Sequence, residues 1–176
     1  MKKHKWLLVF SVLFIFGCGI IEIAPSKKEK FEEYKKNAEN QTLIPVVFED
    51  LDKKIRPNDF LIIWAPWCPH CLVMLDELYL KANKEQLESM VFVSSSYDLK
   101  GISKVLNRRP TLKEKIKFLV IDGDEYGAFE DERIRRFSLA VNGEEGRGSP
   151  IFYEKTEGGE YITQSKSNFY HIIFSK

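Results

Sequence analysis

Apolar and polar positions fall along the chain in two kinds of block. Phe60 to Trp64, Met90 to Ser94 and Ile116 to Ile121 are short, near-continuous apolar runs, the pattern of strands buried on both faces. Between them apolar residues recur at helical spacing. Leu72, Leu75, Leu78 and Tyr79 mark a helix to about Asn83, and Leu99 to Asn107 a second that ends before Pro110. Tyr126, Phe129, Ile134 and Phe137 predict a third over Glu125 to Phe137, after a turn at Asp122-Gly123-Asp124. Thr42 to Phe48 reads as a strand confined to a sheet edge by Pro45, and Glu49 to Ile55 as a short helix stopped near Pro57 and Asn58. Beyond a loop at Gly143 to Gly148, a strand opens with Ser149 to Tyr153. Thr156 to Gly159 turns it, Tyr161 to Thr163 returns it, and Asn168 to Phe174 closes the chain as an apolar helix. Strands alternating with helices and ending in a hairpin predict an α/β fold, with a central mixed β-sheet flanked by helices on both faces.

The first 41 residues have a different pattern. Met1 to Lys5 is basic, and Trp6 to Phe16 is an uncharged apolar run of eleven residues, the length of a signal-peptide core rather than of a spanning helix. Gly17, Cys18 and Gly19 supply small residues at a cleavage site. Ile15-Phe16-Gly17-Cys18 also resembles a bacterial lipobox, in which the cysteine is lipidated, although Phe16 departs from the usual small residue there. Residues 1–21 therefore read as a cleaved signal, a lipoprotein leader or an uncleaved anchor, and each of these would export the domain across a membrane. Residues 22–41 read as a charged tether with a faint helical stripe at Phe31, Tyr34 and Ala38, and residues 42–176 as one globular domain.

Charge adds one exclusion. The 27 basic and 26 acidic side chains give a net +1, and loss of Lys2, Lys3 and Lys5 with a leader would leave 24 against 26, so no basic surface recommends nucleic acid as a partner. Of three cysteines, Cys18 lies in the leader. The domain thus holds a single pair, Cys68 and Cys71, and no disulfide framework. A zinc site would need two further ligands, and neither a second Cys-x-x-Cys nor a histidine pair is present.

That pair sits where a buried strand turns into a helix. Ala65-Pro66-Trp67 breaks the run that ends at Trp64, and Cys68-Pro69-His70-Cys71 opens the helix. A helix's first turn carries unpaired N–H groups and the positive end of its dipole, so a thiolate is favoured at Cys68. Pro69 suits the first helical position because it lacks an N–H. Cys71 lies three residues on along the same face, within reach of a disulfide. His70 is placed to stabilise the Cys68 thiolate, and stabilising the reduced form makes the disulfide a stronger oxidant.

Trp64 to Cys71 resembles the active site of the thioredoxin superfamily. The Pro-His dipeptide is similar to that of the DsbA-type periplasmic disulfide oxidases, while Trp-Ala-x-Trp and the order of the elements from Thr42 to Lys176 look more like thioredoxin itself and the membrane-tethered TlpA/ResA-type proteins. The resemblance implies a thioredoxin-like fold, Cys68 as nucleophile, Cys71 as resolving thiol, and a cis-proline at Pro150 facing them. Trp67 and Ser149 would border the substrate groove. It implies no cofactor and no metal beyond the two sulfurs. The partners would be exported proteins containing cysteines, a membrane or periplasmic redox partner, and the membrane itself through the N-terminal anchor, on the periplasmic side of a bacterial cell envelope. Thioredoxins carry a buried Asp six residues before the first cysteine as proton acceptor for the second, and here that position is Ile62. His70 and Ile62 lean towards an oxidase or isomerase, the scaffold towards a tethered reductase. A peroxidase is disfavoured because Ala65 stands where a Thr or Ser would be needed. A non-catalytic binding or chaperone module of the same fold is the alternative.

Overall fold

The five residues of β2 (Phe60–Trp64) are all buried, and the strand's twofold alternation divides them between two cores. Phe60, Ile62 and Trp64 face one; Leu61 and Ile63 face the other. A strand apolar on both faces must be covered on both, and that requirement shapes the domain. In the computed structural model of the chain, residues 43–116 and 119–175 are described, together with Glu32 and Lys36. The leader, Cys18 and the rest of the tether lie outside the described residues.

β1 (Ile44–Val46), β3 (Met90–Ser94), β4 (Leu119–Ile121), β5 (Ile151–Lys155) and β6 (Tyr161–Gln164) join β2 in one sheet of order β1-β4-β3-β2-β5-β6. The first four strands of that order run parallel, and β5 alone is reversed. β1, with Pro45, lies at the edge as its proline requires. The first core is closed by α2 (Pro69–Lys81), α3 (Lys84–Glu88), α4 (Leu99–Asn107), α5 (Pro110–Lys115) and α8 (Lys166–Phe174). The second is closed by α1 (Phe48–Asp52), α6 (Gly123–Tyr126) and α7 (Glu130–Asn142). The chain therefore has the thioredoxin-like α/β fold, a mixed sheet with helices on both faces. Among the described residues no helix is long and apolar enough to cross a membrane.

Three elements differ from the sequence pattern. α3 and α5 are short helices that each bury a single leucine, Leu87 and Leu112, so neither produces a periodicity. α3 is held by a capping box between Asn83 and Gln86, and Pro110 starts α5 from its first position instead of only ending α4. The helix expected over Glu125 to Phe137 is divided in two. Gly127 takes φ +114 and ends α6, and a Cβ there would run into the side chain of Glu132.

Candidate active site

β2 and β5 pair with Ile63 opposite Ile151, so the residues after β2 and those before β5 meet at the same end of the strands. The first set is the turn Ala65 to Cys68; the second is Ser149-Pro150, whose peptide bond is cis. Cys68 is the N-cap of α2, and Pro69 occupies the first helical position. The Cys71 backbone N–H donates to Cys68 Sγ at 3.2 Å, and Cys68 Sγ–H donates to the Ser149 carbonyl at 3.1 Å, across 81 residues of sequence. The loop before Ser149 closes tightly because Gly146 packs on Ser138 with no room for a Cβ.

The two sulfurs are unlike. Both are thiols, Cys68 3% exposed and Cys71 0%. Burial opposes ionisation of Cys68, but the Cys71 thiol, the nearby Ser149 hydroxyl and the Cys71 and His70 backbone N–H groups outweigh it, so its pKa lies below that of an ordinary thiol. Cys71 sits deeper. Burial, and the hydrogen bond by which it serves Cys68, push its thiol up to about 12. One sulfur is therefore prepared to ionise at the expense of the other.

His70 is exposed at the first turn of α2, where its backbone N–H serves Cys68. Trp67 is 59% exposed beside the nucleophile, while Trp64 is buried in the first core. Ile62 is fully buried in the same core as Cys71. Among the described residues no group of three or more His, Cys, Asp and Glu side chains is arranged to hold a metal.

A buried polar cluster behind the turn has no counterpart in the sequence pattern. Arg133 of α7, 4% exposed, donates to the carbonyls of Ser95 (2.8 Å), Ala128 (2.7 Å) and Gly127 (3.3 Å), and its guanidinium lies 5.2 Å from the Tyr97 ring centre. The Ser95 backbone N–H donates to the Trp64 carbonyl at 2.8 Å, and its hydroxyl to Glu130 at 2.6 Å. The residue that leads into the active-site turn is thus tied through Ser95 to α7. Arg133 lies within Glu-Asp-Glu-Arg-Ile-Arg-Arg, which reads as a solvated helix face and hides a buried cation.

No protein-family model matches the chain, and no curated protein matches it. Among solved structures it is similar to a secreted disulfide oxidoreductase of Mycobacterium tuberculosis, homologous to E. coli DsbE. The two share 12% identity over 70% of this chain and 86% of that one, with a TM-score of 0.43. A likeness so slight assigns no family. The fold rests on the strand order and register above, and the site on its own geometry.

Proposed function

We propose that the protein is an exported thiol–disulfide oxidoreductase acting on cysteines of other exported proteins. The observation that carries this reading is the inequality of the two sulfurs: a Cys68 that caps a helix and ionises below the ordinary thiol range, beside a fully buried Cys71 held protonated up to about 12. A merely structural pair has no use for that difference.

In the reducing direction the Cys68 thiolate attacks a client disulfide. A Cys68–client disulfide forms and one client thiolate leaves. Cys71 then loses its proton and attacks Cys68, forming the Cys68–Cys71 disulfide and releasing the second client thiol. The oxidising direction is the reverse, and the potential of the couple decides between them: about −120 mV favours oxidation of clients and about −270 mV their reduction. Ser149, Pro150 and the exposed Trp67 border the sulfur that the client must reach. His70 favours the thiolate and so the oxidising direction. The basic and apolar N-terminus carries the domain across a membrane, and Cys18 anchors it there if lipidated; a membrane or periplasmic redox partner then resets the pair.

Cys71→Ser is the decisive variant. Expressed with its leader, it accumulates mixed disulfides with envelope proteins that dissolve on reduction, and Cys68→Ser accumulates none. If Cys71→Ser captures nothing while the purified wild-type protein exchanges with no small dithiol, the chain is a binding module of this fold and not an enzyme.

A further inference from the structure

The proposed reaction leaves one proton unaccounted for. Cys71 must lose it to attack, yet Cys71 is fully buried and its thiol is pushed far up by that burial. Ile62, in the core that Cys71 shares, cannot accept it. Most charged groups on the surrounding elements are committed elsewhere. Asp76 of α2 pairs with Arg109 at 2.6 Å, Asp98 caps α4 through Gly101 N–H, and Glu130 accepts from Ser95. Glu77, whose Oε2 is buried without a hydrogen-bond partner, faces Tyr170 of α8. His70 lies exposed.

Ser149 is placed differently. Its carbonyl accepts from Cys68 Sγ at 3.1 Å, and its Oγ is buried without a hydrogen-bond partner in the dithiol state. A buried hydroxyl left without a partner is uncommon and costs free energy. This one lies close enough to favour the thiolate of both cysteines. It is therefore near the Cys71 thiol that must lose a proton and near Cys68, to which the departing client sulfur is bonded, and a hydroxyl both accepts and donates.

We propose that Ser149 is a catalytic residue of the exchange: its hydroxyl takes the proton of Cys71 as that sulfur attacks the Cys68–client disulfide, and gives its own proton to the departing client sulfur. The Cys71–Cys68 bond forms as the Cys68–client bond breaks. The electron pair of the broken bond leaves with the client sulfur, which departs as a neutral thiol, and Ser149 ends as it began. No charge is left in the apolar site, so no buried carboxylate is needed. A client sulfur bonded to Cys68 lies beside Ser149 because Cys68 itself does.

The inference rests on the oxidoreductase reading and fails separately from it. Reduced protein is mixed with oxidised glutathione, and formation of the Cys68–glutathione disulfide and its resolution by Cys71 are timed by acid quench and mass spectrometry. Ser149→Ala is expected to slow resolution about a hundredfold, the lower end of the scale of general acid–base effects. Ser149→Thr keeps a rate near wild type, whereas Ser149→Val, of the same shape as Thr without the hydroxyl, resolves as slowly as Ala. Wild-type resolution slows in deuterium oxide, and in Ser149→Ala it becomes proportional to hydroxide. Resolution by Ser149→Ala at the wild-type rate, or equal rates for Thr and Val, overturns the relay and leaves the enzyme reading intact. If the wild-type protein neither forms nor resolves the mixed disulfide, both fall.

Discussion

Cys68 and Cys71 are three residues apart and chemically opposite, and the difference comes from depth as much as from bonding. Cys68 collects the donors at the helix start; Cys71 spends its own backbone N–H on Cys68 and is buried behind it. The position of Cys68 at a helix start is legible in the sequence because a cap and its first turn are contiguous. Burial of Cys71 is not, since it depends on which elements cover the turn. His70 offers a prediction at this scale. Its backbone N–H survives substitution, so His70→Ala isolates the imidazole. If the imidazole favours the thiolate as proposed, its removal makes the couple more reducing, by about 30 mV for each tenfold change in its equilibrium constant. Equilibration with glutathione measures it, and an unchanged potential would mean that the ring takes no part.

Among the elements, β2 and β3 are found where their apolar runs predict, because a strand covered on both faces has no polar position to interrupt it. The short helices escaped for the opposite reason: α3 and α5 bury one leucine apiece, and only the capping box of α3 and the proline that opens α5 announce them. α7 carries a contact that no helical pattern reveals, since Arg133 turns inward from an otherwise charged segment to hold three carbonyls. Arg133→Met fills much of the space but leaves those carbonyls without their donor. We expect it to lower stability by about 2–4 kcal/mol, read from urea unfolding. Arg133→Lys should recover little, because an ammonium cannot reproduce the planar fork of donors. Full recovery by lysine would show that charge alone matters there.

For the whole molecule, ionisation of the two sulfurs links stability to pH with opposite signs. The lowered pKa of Cys68 contributes stability above the ordinary thiol value, lost as pH falls through the folded value. The raised pKa of Cys71 contributes stability fully present below its ordinary 9.0 and lost as pH rises from there towards about 12, because only the unfolded chain ionises in that interval. The reduced protein should therefore weaken above about pH 9 more steeply than Cys71→Ala, in denaturant titrations repeated across alkaline pH. Parallel curves would mean that Cys71 ionises as freely folded as unfolded.

What the sequence by itself determined is whatever depends on neighbours a few residues apart: the strand runs, the helix opened by Cys68 and Pro69, the hairpin after Pro150, and from their alternation the class of fold. Only the tertiary structure brought Ser149 across 81 residues to Cys68 and set Arg133 beneath the active-site turn. The reason is physical. Local preference falls on contiguous residues and leaves its mark there, whereas a buried hydroxyl or guanidinium takes its meaning from the groups that a closed sheet places around it.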